Sequence, residues 1–273
     1  MLFRSGGNSR LRIQRARTDF WGIVLTPSGV DGPRIALDYS RIRRTRDVIE
    51  LLPQAVMDGE DLWPERVGRA PLTEEDRAKG YTAGRITLLD TRLGNDGTLE
   101  VDSIDARVDW PLEFSGGRLR LYADATYHLR NRKTAPVQED EERAGWLHGP
   151  LKRRANGGFD WTKNSLTLGA NLQYFGRYLI LAQGQLTGNN ELYELMQGST
   201  HISSQRYLDI YASWRATVRN FGPLSDLTVD LGVINALDKA PPRESSFIDA
   251  GSGYSRYGDP RMRRFELSVS AHF

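Results

Sequence analysis

From Leu119 to Arg130 the chain alternates without a break: Leu119, Leu121, Ala123, Ala125, Tyr127 and Leu129 are separated by Arg120, Tyr122, Asp124, Thr126, His128 and Arg130. Successive side chains of a β-strand point to opposite faces, so such a run predicts a strand with one apolar and one polar side. The same period recurs in 165–175, where Leu166, Leu168, Ala170, Leu172 and Tyr174 oppose Ser165, Thr167, Asn171 and Gln173. It recurs in 206–219, where Leu208, Ile210, Ala212, Trp214, Ala216 and Val218 oppose Asp209, Tyr211, Ser213, Arg215, Thr217 and Arg219. It closes the sequence, with Phe265, Leu267, Val269, Ala271 and Phe273 set against Glu266, Ser268, Ser270 and His272. Residues 225–233 and 99–110 alternate less perfectly, 34–42 and 154–161 are shorter or weaker, and 17–27 reads as a strand whose faces the sequence does not assign. That makes about nine strands, most of them ~9–14 residues long, where strands of soluble proteins run about 5–6. A tilted strand that crosses a bilayer needs about 9–11, so the lengths favour a membrane barrel over a sandwich.

The connections between these strands fall into two classes. Short ones are expected at 28–33, 112–117, 162–164 and 219–224, and long ones at 45–96, 131–152, 178–200 and 238–261. Short and long alternate, which is the pattern of tight periplasmic turns and long outside loops in outer-membrane barrels. The last strand then runs toward the periplasm. Downward strands finish on Trp110, on Trp161, near Trp214 and on Phe273, all on the apolar register, as an aromatic girdle at one interface requires. Among the alternating residues named above for the three clearest strands, charges sit only on the other register, so Arg120, Asp124, Asp209 and Arg215 are expected to face the lumen. A cationic side chain on the lipid face near the midplane costs about 2–4 kcal/mol, which explains the exclusion.

Composition is compatible with this. The 273 residues carry a net charge of +2, without the concentrated basic face that nucleic-acid binding needs. There are no cysteines, hence no disulfide framework and no thiolate metal site or nucleophile. No run of about 18 apolar residues is present, and mean hydropathy is −0.52. Neither fact excludes a barrel, whose strands need only one apolar face. The first residues do not form a signal peptide. The opening MLFRS also matches the translation of sequencing-adapter DNA (ATG CTC TTC CGA TCT), so residues 1–5 are set aside, and 1–16 is expected to be the remnant of an outside loop.

About nine strands is an odd number, and bacterial single-chain barrels have even ones. An open sheet in lipid leaves unpaired N–H and C=O groups on its edges, each costing several kcal/mol. Residues 17–273 are therefore expected to be the C-terminal portion of a larger transmembrane barrel: all-β, antiparallel and incomplete.

The run 231–242 (LGVINALDKAPP) resembles the G-V-x-N-L-F-D-x-x-P-P segment of TonB-dependent outer-membrane receptors, through Gly232, Val233, Asn235, Asp238, Pro241 and Pro242, and departs from it at Ala236 and Leu237. The stretch 257–273 resembles the family's Y-D-P-x-G-R-x-F ending and its terminal aromatic, with Gly258 inserted and Met262 in place of Gly. Residues 7–16 are similar to G-N-P-x-L-x-P-E-x-A at Gly7, Asn8, Leu11 and Ala16. The resemblance implies a complete barrel of about 22 strands around a plugged lumen. It implies uptake of a scarce solute driven by the TonB complex through an N-terminal plug outside this chain, and a location in the outer membrane of a Gram-negative bacterium. It also implies that Phe273, with Phe265, Leu267 and Val269, signals to the barrel-assembly machinery. Outer-membrane lipid and a small-molecule ligand, such as a siderophore, cobalamin or an oligosaccharide, are the other implied partners.

No catalytic group is required by that activity, and none is suggested by the sequence. The histidines His128, His148, His201 and His272 are scattered, and neither G-x-S-x-G, H-E-x-x-H nor a Walker loop occurs. No metal site and no cofactor is expected; the acidic stretch 96–105 lacks EF-hand spacing. Ligand contacts are expected in the outside loops. Trp63, Arg66 and Arg69 can stack on and pair with an anionic or catecholate ligand, or pack locally. Trp146, His148, Tyr193, Tyr254, Arg256 and Tyr257 are further candidates. Two other classes stay open: a structural or adhesive outer-membrane barrel without TonB coupling, and a soluble β protein that binds carbohydrate.

Overall fold

The computed structural model describes residues 1–27, 32–180, 190–217, 226–245 and 253–272. Its largest element is a meander of nine strands: β1 (Arg15–Leu25), β2 (Arg34–Ile49), β3 (Gly94–Phe114), β4 (Gly117–Thr134), β5 (Arg153–Lys163), β6 (Leu166–Phe175), β7 (Gln205–Thr217), β8 (Asp226–Ile234) and β9 (Arg264–His272). They are hydrogen-bonded in chain order, and among the described residues β1 and β9 each pair on one side only, so the sheet is open. The pairings β4–β5, β5–β6, β6–β7, β7–β8 and β8–β9 are antiparallel. A two-residue strand, Glu141–Glu142, adds to β4.

Every strand expected from alternation is present, but three run further than the alternation does. β2, β3 and β4 have 16, 21 and 18 residues. The long connections between strands are accordingly 50–93, 135–152, 176–204 and 235–263. The physical reason is solvation. Where both faces of a strand meet water, apolar residues need not recur, while the backbone ladder can continue.

The turn expected at 112–117 tightens to two residues, Ser115 and Gly116, both left-handed at φ 54° and 69°. Positive φ at both central positions is what a two-residue turn needs to match the twist of its strands. At the next short turn Asn164 takes φ 52°. The turn expected at 219–224 and part of the one at 28–33 lie outside the described residues.

Register carries the two-sidedness across strands. Leu121 pairs with Phe159, Phe159 with Ala170, Ala170 with Ile210, Ile210 with Val233, and Val233 with Phe265. One row on, Leu119, Trp161, Leu168, Ala212, Leu231 and Leu267 are joined in the same way. This face is not packed into an interior: Leu231, Leu267 and Phe265 are 54%, 67% and 77% exposed. The opposite register pairs polar residues. Thr162 and Thr167 share a hydrogen bond at 3.1 Å, Gln173 donates to Asp209 at 3.0 Å, and Tyr122 donates to Asn171 at 3.2 Å. The structure also assigns β1. Trp21 stacks on Tyr39 at 5.5 Å, whereas a Cβ on Gly22 would run into Asp38. Trp21, Ile23 and Leu25 therefore share one face, and Phe20, Gly22 and Val24 the other.

The chain divides into two compact units. One comprises 1–19, 41–101 and 131–142. Its core is Ile49, Leu51, Val56, Trp63, Val67 and Leu89. Residues set aside in the sequence have a place in it: Leu2–Arg4 pairs in parallel with Ile86–Asp90, because main-chain pairing is indifferent to what side chains the strand carries. A five-residue helix, Glu74–Ala78, opens on a capping box between Thr73 and Asp76. The other unit comprises 20–40, 102–130 and 143–273, with a core of Trp146, Leu147, Leu151, Phe175, Tyr178, Ile180, Tyr193, Ile202 and Tyr207.

The alternation yields a paired test. Leu168→Arg puts a cation on the apolar face and is expected to cost about 2–4 kcal/mol in a membrane, seen as loss of assembled protein from the outer-membrane fraction. Thr167→Arg, one residue away on the polar face, is expected to assemble normally. Equal effects would refute the facing.

Candidate functional site

In the first unit two of the three predicted ligand residues, Trp63 and Arg66, are buried, and Arg69 is exposed. Trp63 is 6% exposed and packs in the core against Gly59. Arg66 is also buried. Its Nη1 donates to the carbonyls of Arg92 at 2.9 Å and Asp90 at 3.3 Å, and lies 3.9 Å from the Asp90 carboxylate. Arg69 forks onto Glu60 at 2.6–3.0 Å and donates to the Gly84 carbonyl at 3.0 Å. These bidentate bonds hold the Glu60 carboxyl below its ordinary range. Asp90 is lowered in the same way by Arg92, against the opposing effect of burial. The side-chain bonds that Arg66 and Arg69 make thus go to groups of their own loop.

In the second unit Trp146 is buried and donates its indole N–H to the Ile180 carbonyl at 3.1 Å. His148 meets the Trp146 ring edge-on at 5.2 Å. Tyr193 is buried in the same cluster. Tyr257 stacks on Phe175 at 5.3 Å and meets Tyr178 edge-on at 5.6 Å, and burial pushes its phenol up. Tyr254 forms a backbone bridge with Arg243, and Arg256 stays exposed beside it.

What ties these loops down is a buried polar chain that sequence reading did not find. Tyr207 donates to Gln205 at 2.8 Å, Gln205 donates to Ser255 at 2.6 Å, Ser255 shares a bond with Tyr178 at 2.9 Å, and Tyr178 donates to Glu244 at 2.8 Å. Tyr178 is 1% exposed, and burial pushes its phenol well above the usual range, with the Ser255 bond opposing and the Glu244 bond adding. The chain links the start of β7 to two long loops, 176–204 and 235–263. No sequence spacing announces it, since its members come from three separate segments.

Next to this chain, at Glu244, opens a cavity of about 660 Å³. Met196, Ser199, His201, Arg243 and Ser245 are among its lining residues. Its size is that of a small-molecule pocket, about 300–1,000 Å³. His201 and Arg243 bring a titratable ring and a cation to it. Neither stood out in the sequence, because each is a single polar residue in a long loop. Among the described residues no group of three or more His, Asp or Glu is arranged to hold a metal ion.

On the polar face of the sheet a groove of about 890 Å³ is lined by Asp38, Arg107, Asp109, Arg120, Tyr122 and Asp124 among others. Arg120 donates to Asp109 at 2.8 Å and lies 3.8 Å from Asp160, which accepts from Tyr211. Asp209 accepts from Gln173 and from the Asn235 backbone N–H at 2.8 Å. Arg215, opposite Thr228, follows the same register. Phe265 and Val269 lie exposed on the apolar face with Leu267; Phe273 lies outside the described residues.

An open meander, exposed and apolar on one side and polar on the other, is the fold of a section of outer-membrane barrel wall. More narrowly, it is the fold of part of the barrel of TonB-dependent outer-membrane receptors. The ferric enterobactin receptor PfeA of Pseudomonas aeruginosa matches 97% of this chain at 17% identity with a TM-score of 0.57. The siderophore receptor PirA of Acinetobacter baumannii matches 95% at 14% identity and 0.54, and the iron transporter FrpB of Neisseria meningitidis 97% at 12% and 0.56. The chain spans 32% of the length of each of these three proteins. No protein-family profile and no curated protein sequence matches it.

Two measurements test the loop architecture. Tyr178→Phe removes one buried hydroxyl that two partners share and is expected to cost about 1–3 kcal/mol locally, read as faster proteolysis within 235–263 with the strands still protected. Asp259 is held well below the ordinary carboxylate range, chiefly by the Arg261 side chain, then by its backbone N–H and by Arg264. A depressed folded value stabilises at all pH above the ordinary value of about 3.9 and is lost as pH falls through the folded one. Loop protection is therefore expected to fall on acidification below about pH 4, and Asp259→Asn is expected to flatten that dependence.

Proposed function

We propose that this chain forms part of the barrel wall, outside loops and lumen of an outer-membrane receptor that takes up a scarce solute at the expense of TonB-delivered energy. The observation that carries the reading is the match of nearly the whole chain to receptor barrels, joined to an exposed apolar face that water would not tolerate over so many strands. The open edges support a larger barrel. The unpaired groups on β1 and β9 would each cost several kcal/mol in hydrocarbon and need neighbouring strands. In this reading the further strands, the plug and the TonB-contacting segment belong to polypeptide outside this chain, and the barrel-assembly machinery reads the β9 signal.

The solute is captured rather than transformed, so the chain supplies no acid, base or nucleophile. Siderophores are the first class to test, because the matched proteins are named as siderophore and iron receptors and one was determined in complex with enterobactin. Cobalamin and oligosaccharides come second. Within this chain the residues left facing the outside are His148, Tyr254 and Arg256, with His201 and Arg243 at the cavity. Arg120, Asp124, Asp209 and Arg215 are assigned to the lumen wall.

A clean deletion of the complete gene is expected to abolish uptake of one ferric siderophore under iron limitation, and removal of TonB is expected to have the same effect. Arg243→Ala in the complete receptor is expected to raise the half-saturating ligand concentration about tenfold, as for loss of a charged hydrogen bond worth about 1.5 kcal/mol. Uptake that persists without TonB would favour a barrel with a purely structural or adhesive role.

A further inference from the structure

From β4 to β9, among the described residues, arginines stand on the apolar register at two places, and both are at the loop end of their strands. Arg153 pairs with Tyr127 across β4 and β5, and Arg206 pairs with Tyr174 across β6 and β7. Each guanidinium lies over the ring of its partner, at 5.5 Å for Arg153 on Tyr127 and 5.8 Å for Arg206 on Tyr174. Both arginines are exposed. Tyr174 also pairs with Ala155, two residues from Arg153, so the two stacks are near neighbours on one face.

Their depth follows from the register. Arg153 is eight residues from Trp161, and Arg206 is eight residues from Trp214. Eight residues of strand span about 27 Å, or about 20 Å along the membrane normal at a tilt of ~40°, close to the roughly 25 Å apolar band of an outer-membrane barrel. Between the two levels the apolar register holds only Leu121, Ala123, Ala125, Ala155, Gly157, Phe159, and their counterparts Leu168, Ala170, Leu172, Leu208, Ile210 and Ala212. If Trp161 and Trp214 mark one interface, the Arg–Tyr stacks mark the other, on the loop side.

A tyrosine there needs no explanation beyond the interface itself. Two arginines do. They face the surrounding membrane, and stacking on tyrosine holds each guanidinium flat while leaving its N–H edge free for a bidentate acceptor. Phosphate is the acceptor that suits such a fork, and lipid headgroups are what lies at that depth.

We propose that Arg153 and Arg206, backed by Tyr127 and Tyr174, form a site for the phosphate of a lipid in the outer leaflet. The hydrocarbon tails add little selectivity, because the apolar face meets hydrocarbon whichever lipid is present. Recognition therefore rests on the headgroup charge. This inference rests on the membrane reading above, and the test separates the two.

The complete receptor containing this chain is purified from membranes in mild detergent and titrated with lipid A carrying its phosphates, and with the same lipid after phosphatase treatment, with bound lipid counted by native mass spectrometry. Wild type is expected to retain the phosphorylated lipid about tenfold better, as two cations near a headgroup supply. The double variant Arg153→Gln, Arg206→Gln is expected to lose most of that preference while remaining heat-modifiable on gels, the sign of an assembled barrel. Arg→Lys at both positions keeps the charge but not the fork, and is expected to fall between. Equal retention of the two lipids by wild type, undiminished preference in the double variant, or full competition by inorganic phosphate would overturn the site while leaving the receptor reading intact. Absence of the wild-type protein from the outer-membrane fraction would overturn both.

Discussion

The interstrand ladder is the interaction on which the rest of this structure depends. In hydrocarbon no water is available to a backbone N–H or C=O, so each must find its partner on the neighbouring strand. The ladder fixes register, and register decides which side chains stand together. A slip of one residue would turn the whole row from Leu119 to Leu267 toward the polar side. It would equally bring Arg120, Asp160 and Asp209 to the apolar side. Side-chain packing does not enforce this register, since the apolar rows touch no second protein layer among the described residues; in the proposed barrel the membrane does.

Past the alternating runs a different constraint holds. β2, β3 and β4 continue as paired strands, and the loops fold on themselves. Each unit has its own small aromatic core, around Trp63 in one and around Tyr178 in the other. Polar groups inside them bond locally: Arg66 Nη1 to carbonyls, Tyr178 to Glu244 and Ser255. A loop that must hold a shape without a deep hydrophobic interior needs such bonds, because an unpaired buried polar group costs about 1–3 kcal/mol.

In the proposed barrel two belts of aromatic and charged residues frame the apolar band. The lower one, with Trp161 and Trp214, was legible because tryptophans at strand ends on one register are conspicuous. The upper one was not. Tyr127 and Tyr174 were assigned to the apolar face, but Arg153 and Arg206 fall at or just outside the alternating runs, where a sequence reader cannot tell whether the period continues. Only the pairing of Tyr127 with Arg153 and of Tyr174 with Arg206 puts them at one level. The same limit applies to the loops. Trp63, Arg66 and Arg69 have the chemistry of a ligand clamp, yet partners elsewhere in the loop decide what they bind; Glu60 takes Arg69, nine residues on, and the Asp90 and Arg92 carbonyls take Arg66.

Period two over ten or more residues, with charges largely confined to one register, determined from sequence alone that this chain makes long two-faced strands, about how many there are, and which face is apolar on the clearest of them. That follows from local geometry, because a strand shows its side chains to alternate sides whatever its neighbours are. The tertiary structure decided the facing of β1, where apolar residues occupy both registers, by setting Trp21 on Tyr39 and Gly22 against Asp38. It decided which loop residues are spent internally and which remain exposed, and it joined Tyr178, Glu244, Gln205 and Ser255 into one chain. Those outcomes depend on contacts between segments far apart in sequence, and such contacts leave no period behind them.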